Sequence, residues 1–209
     1  RDALAEAQRR LDRAAPVERA LVEALVSRYP DDASIEDFAP WNDGFAAAMR
    51  TVYEDHGADL DVCCLFAESI MNRTPWQLWD LSSGEPAEGA DTLEAITVLE
   101  GAFDELDGAW GHPGLLHMYI HLMEMSPTPE KALMAGDHLR ELVPDAGHLI
   151  HMPTHIDIQC GEYRDALYWN QKGIEADLKI AERQGRMNIY TSYRVHNYHF
   201  AIYGAMFLG

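Results

Sequence analysis

His117-Met-Tyr-Ile-His121-Leu-Met-Glu124 and His148-Leu-Ile-His151-Met-Pro-Thr-His155 are the two segments from which the fold can be read. Their histidines recur at one interval, since 151 − 117 = 34 and 155 − 121 = 34, and the pairs Ala132/Ala166 and Leu133/Leu167 keep the same 34-residue spacing. A repeat of that length is a pair of helices that cannot bury its apolar side alone and must stack on its neighbours. The spacing predicts an all-α chain of stacked helix pairs, with clear repeats at 113–146 and 147–180. In each, a first helix carries the histidines. A second carries the packing residues, Pro129-Glu-Lys-Ala-Leu-Met-Ala-Gly-Asp-His-Leu in one and Tyr163-Arg-Asp-Ala-Leu-Tyr-Trp-Asn-Gln-Lys-Gly-Ile in the other.

Outward from this centre the helix pairs are degenerate. Residues 2–14 have helix-forming composition, and Pro16 opens a second helix with Leu21, Leu25 and Val26 on one face and a turn at 29–32. A looser segment leads past Pro40 to a helix from about Asp43, closed by His56-Gly57. An apolar helix follows from Asp59 to about Asn72, then Trp76 and Trp79, expected as packing residues, and a turn-rich loop at 80–91. Thr92 is the expected N-cap of the next helix. After the clear repeats, a helix over 190–208 carries Tyr190, Tyr193, Tyr198, Phe200, Tyr203 and Phe207, expected in the core. It reads as an incomplete repeat at 190–209, with a partner helix expected after Gly209. The whole is expected as one α-solenoid domain over 1–209, with degenerate pairs over 1–112.

Composition narrows the function. The chain has 209 residues, 47% of them hydrophobic, enough to bury a sizeable core. Its 35 acidic against 16 basic residues set a formal charge of −19, which repels nucleic acid and anionic membrane and attracts cations. No apolar run approaches the roughly 20 residues of a membrane span. Three cysteines, two of them adjacent (Cys63 and Cys64), make no disulfide framework, so a reducing cytoplasm is the expected compartment and inert buried thiols the expected state.

The segment Gly161-Glu-Tyr163-Arg-Asp-Ala166-Leu resembles the glycine, aromatic and alanine signature between the two helices of a tetratricopeptide repeat, and Pro144 stands where such repeats usually end. The chain also resembles a bacterial, largely uncharacterised group of tetratricopeptide-repeat proteins with histidine-rich repeat helices. The segments that carry this likeness are His112-Pro-Gly, His117-x-Tyr-Ile-His121-x-x-Glu124 and Ala146-Gly-His148-Leu-Ile-His151-Met-Pro-x-His155. The resemblance covers about the last three quarters of the chain. It implies a right-handed α-solenoid whose first helices line a concave groove, and it supplies no reaction.

Aligning Gly209 with Gly161 places His196 on His148 and His199 on His151, because all three pairs differ by 48. Glu68 and Asn72, four apart, match the register of His117 and His121. Positions i, i+4, i+7 and i, i+3, i+7 share a helix face, so His117, His121 and Glu124 form one row and His148, His151 and His155 another. Packed helices stand about 8–10 Å apart, close enough for imidazoles of neighbouring rows to converge on an ion. The expected ligands are therefore His117, His121, Glu124, His148, His151, His155, His196 and His199. The expected cargo is one or two transition-metal ions (Zn, Cu or Fe), which imidazole and carboxylate hold without thiolate. If the centre is catalytic, as a metal-dependent hydrolase or oxidase, Glu124 and Glu68 are the candidate bases.

Other readings follow from the same residues. The groove histidines also suit a scaffold that binds a peptide or a small molecule, or a buried hydrogen-bond network. Met118, Met123, Met125 and Met152 read as core filling before ligation. His56 and His138 fall outside the pattern, and His112 reads as a helix-entry residue as readily as a ligand.

Overall fold

The computed structural model describes residues 2–29 and 37–209. All regular elements among them are helical, and neighbouring helices pack on one another. The part of the expected turn at 30–32 lies outside the described residues. The chain divides into two compact units, Arg1–Ala109 and Trp110–Gly209, the second beginning just before the first clear repeat.

The first unit contains α1 (Asp2–Gln8), α2 (Pro16–Arg28), α3 (Ala39–His56), α4 (Leu60–Met71) and α5 (Thr92–Glu105). The expected helix over 2–14 stops at Gln8 and resumes as a 3-10 turn over Leu11–Arg13. Asp59 caps α4 by accepting from the amides of Asp61 and Val62, which otherwise lack helical partners. Ala46, Met49 and Val52 of α3, Phe66 and Ile70 of α4, and Val98 and Leu99 of α5 form the core. Thr92 is not the N-cap of α5. Asp91 holds that position, and the Thr92 hydroxyl donates to the Leu78 carbonyl, tying the preceding loop to the helix. Trp76 is also not a packing residue, being 77% exposed. Cys63 and Cys64 lie on α4, and burial pushes their thiols up to about 11 and about 12, so both are protonated and unreactive near neutrality.

The second unit contains α6 (Pro113–Met123), α7 (Leu133–Leu139), α8 (Gly147–His151), α9 (Pro153–Cys160), α10 (Tyr163–Gln184) and α11 (Tyr190–Leu208), with a 3-10 turn over Pro129–Ala132 leading into α7. Its helix starts repeat the sequence period: 147 − 113 = 34 for α6 and α8, and 163 − 129 = 34 for the second helices. His112 is the helix-entry residue, its Nδ1 accepting from the Leu115 amide at 3.1 Å. The segment expected as one helix over 148–155 is two, joined at Met152. Pro153 has no amide hydrogen, so the hydrogen-bond ladder breaks there while Met152 keeps helical dihedrals. Gly161, at φ 86°, ends α9 in the left-handed conformation that glycine adopts without strain.

Small residues set the helix spacing in this unit. Gly147 of α8 and Gly173 of α10 face each other so closely that a Cβ on Gly147 would lie 2.7 Å from the Gly173 carbonyl. Gly204 of α11 lies against the Tyr163 carbonyl and the Leu167 amide of α10. These contacts seat α8, α10 and α11 together, while Leu115, Leu116, Ile120, Leu139, Ile150, Met152 and Ile156 fill the core. Of the six aromatic residues of α11, only Phe200 is not exposed. Tyr190, Tyr193, Tyr198, Tyr203 and Phe207 are each at least 40% exposed, because α11 meets α10 through its small residues and Asn197.

Candidate metal centre

Six of the ten histidines fall into two groups, both within the second unit. His117 and His121 of α6 meet His148 of α8; His151 of α8, His155 of α9 and His196 of α11 form the other. Within each triad, one ring nitrogen from every member lies within 4.8 Å of the others. His117 Nε2 is 3.1 Å from His148 Nε2, His151 Nε2 is 2.9 Å from His155 Nε2, and His155 Nε2 is 3.4 Å from His196 Nε2. Two imidazoles on one ion, at about 2.0–2.1 Å each and about 90–110° apart, place their nitrogens about 2.9–3.4 Å from each other. The three separations match that range.

Glu124, the residue that ends α6, stands between the triads and belongs to neither. His121 Nδ1–H donates to its Oε1 at 2.8 Å and His155 Nδ1–H to its Oε2 at 2.5 Å. Burial pushes the Glu124 carboxyl up, but the two imidazole hydrogen bonds outweigh that effect and hold it at about 2. It is thus an anion with both oxygens committed, rather than the ligand or free base expected from its position in the helix row. The Gln159 side-chain amide donates to the Glu124 backbone carbonyl and fixes the end of α6 against α9.

Asn170, on α10, was not expected at the site. Its Nδ2 donates to the Ala166 carbonyl at 2.7 Å and to the Thr154 hydroxyl at 3.0 Å, which leaves Oδ1 to face His151 Nδ1 at 2.7 Å. A carbonyl cannot donate, so the Ala166 contact sets the orientation of the amide and the proton must sit on His151 Nδ1. His151 and His155 therefore both carry a proton on Nδ1, and their Nε2 atoms face each other at 2.9 Å. Nothing about Asn170 in the sequence distinguishes it from a helix-surface amide; only its burial, with no exposed surface, sets it apart.

The triad rings are partly buried, and His151 fully so. Burial, helped by the neighbouring imidazoles, pushes His117 down to about 3 and His148 to about 4, and it lowers His151 well below the ordinary 6.5 and also lowers His196. These rings are neutral near pH 7, the form in which a histidine offers a lone pair to a cation. The Phe200 ring packs on the second triad, 4.9, 4.4 and 4.7 Å from the rings of His151, His155 and His196. Tyr193 packs on His148 of the first at 4.9 Å. The rings of His148 and His151, one from each triad, are 6.2 Å apart.

Two expected residues stand elsewhere. His199 is exposed on α11, outside both triads, although it repeats the register of His151. Of the two α11 histidines, only His196 brings a ring nitrogen into a triad. Glu68 is exposed on α4 in the first unit, and Asn72 ends that helix. No family model, curated protein or solved structure matches this chain.

Proposed function

We propose that this chain is a tetratricopeptide-like α-solenoid that binds two transition-metal ions, one in each histidine triad, with Glu124 as the anion between them. The observation that carries the reading is the 2.9 Å approach of His151 Nε2 and His155 Nε2, each ring turned by an acceptor on its Nδ1 side. An ion held by both nitrogens at about 2.0–2.1 Å fits that separation. Charge supports it as well, since a chain at −19 gathers cations around it.

Three neutral imidazoles with no thiolate and no carboxylate suit zinc or copper better than iron, which favours a carboxylate beside two histidines. A divalent ion with three protein ligands keeps room for water or a substrate and supplies Lewis acidity to it, the mark of a reactive rather than a purely structural site. Glu124 balances the charge and orients His121 and His155 through their Nδ1–H groups. Asn170 orients His151. Hydrolysis and oxidation both fit such a centre.

Elemental analysis of the untagged chain, purified without a nickel column, tests the proposal. Two equivalents of zinc or copper per chain are expected, directly or after titration. Less than a tenth of an equivalent, with no uptake on titration, overturns it in favour of a peptide-binding scaffold.

A further inference from the structure

Resting on the metal reading above, we infer that the two triads are unequal: His151, His155 and His196 take the first ion, tightly and with slow exchange, and Asn170 is the positioning residue responsible. The first triad takes the second, exchangeable ion.

The inference follows from how each ring is held. In the second triad, two of the three imidazoles have a defined acceptor on Nδ1, Asn170 for His151 and Glu124 for His155, so two Nε2 atoms are presented as ligands before any ion arrives. In the first triad the acceptor seen is Glu124 on His121, and His148 Nδ1 is buried with no hydrogen-bond partner. Binding an ion through His148 Nε2 leaves the Nδ1–H unsatisfied in a buried place, a standing penalty on that site. Acceptors behind metal-bound histidines typically change metal affinity 10- to 100-fold.

Enclosure points the same way. His151 has no exposed surface, and Phe200 packs on all three rings of the second triad. Occupation of the second triad also pins His155 on Glu124 Oε2, which leaves Oε1 facing His121 and prepares one ring of the first triad. The order of filling is thus built into a chain of contacts running from the Ala166 carbonyl through Asn170, His151, His155 and Glu124 to His121.

Titrating the metal-free full chain with cobalt(II), followed by visible absorption and native mass spectrometry, separates the two sites. Two steps are expected, the first at least tenfold tighter. His117→Ala is expected to remove the weaker step and leave the tighter one within threefold. Asn170→Ala is expected to weaken the tighter step 10- to 100-fold and to leave the absorption change of the other step in place, a selective effect that general loosening of the fold does not produce. Two steps of equal affinity, loss of the tighter step in His117→Ala, or an unchanged tighter step in folded Asn170→Ala would overturn the inference while leaving metal binding intact. If Asn170→Ala does not fold, the His117→Ala titration decides the order alone. No cobalt uptake by the unaltered chain overturns the metal reading itself.

Discussion

Glu124 Oε2 and His155 Nδ1 stand 2.5 Å apart, although Glu124 closes α6 and His155 belongs to the first turn of α9, 31 residues later (155 − 124 = 31). Through its other oxygen the same carboxylate holds His121, so one side chain sets the tautomer of a ring in each triad. Glu124→Gln keeps the shape but turns one acceptor into an NH2 group aimed at an Nδ1–H. We expect zinc affinity to fall about 10- to 100-fold at the site whose Nδ1–H loses its acceptor, read by competition with a chromophoric chelator. Unchanged affinity at both sites would show that Glu124 orients neither ring.

Acid should loosen the metal-free chain. His117 and His148 titrate at about 3 and about 4 when folded, and His151 well below 6.5, against an ordinary 6.5 when unfolded. Between those limits the unfolded chain binds more protons, so the stability these groups contribute is full above about pH 6.5 and is lost as pH falls toward 4. Each group contributes a slope on the order of 1 kcal/mol per pH unit within its window. Glu124, held at about 2, adds a second loss from about pH 4.5 downward. Urea unfolding of EDTA-treated protein at intervals from pH 8 to 4.5 measures the first window; a flat profile would contradict the burial of these rings.

Gly147 permits the approach of α8 to α10. A Cβ there would lie 2.1 Å from Asp177 Oδ1 and 2.6 Å from its Cγ, and Asp177 is itself buried and bonded to Asn197. Gly147→Ala is expected to cost about 1–3 kcal/mol or more, seen as a Tm several degrees lower in calorimetry. The weaker metal step should suffer most, because His148 is the next residue. A Tm within one degree of the parent would mean that the two helices do not meet here.

Arg140 and Asp157 form a buried bidentate ion pair, at 2.8 and 2.6 Å, between the residue after α7 and the middle of α9. Asp157→Ala strands the guanidinium in the interior and is expected to cost about 3–5 kcal/mol, whereas Asp157→Ala with Arg140→Met should recover much of it. Chemical denaturation of the single and double variants tests this, and equal stability of the two would show that the stranded charge is not the cause. Neither residue belongs to a triad, so the metal stoichiometry of the folded double variant should stay at the parent value.

In the second unit, the local part of the site was legible in the residues. Helix periodicity places His117 and His121 on one face, and the 34-residue interval reappears in the starts of α6 and α8 and of the helices that follow them. The assignment of roles was less so. Glu124 reads as a ligand because it lies one turn beyond His121, yet its carboxylate turns to the Nδ1 sides of two rings. His199 reads as a ligand because it repeats the register of His151, yet it faces outward on α11. The aromatic run of α11 reads as core, yet the helix packs through Asn197, Ala201 and Gly204.

The sequence by itself determined that the chain is helical, that its centre repeats every 34 residues, and that imidazoles gather on the first helices. Those properties depend on interactions within one helix or one repeat, which the spacing of residues specifies directly. The division of six histidines into two triads, the place of Glu124 between them and the lock that Asn170 puts on His151 were decided only by the tertiary structure. Each depends on rotamers and on contacts between helices, where the Ala166 carbonyl, the break at Pro153 and the close approach of Gly147 to Gly173 set which nitrogen meets which.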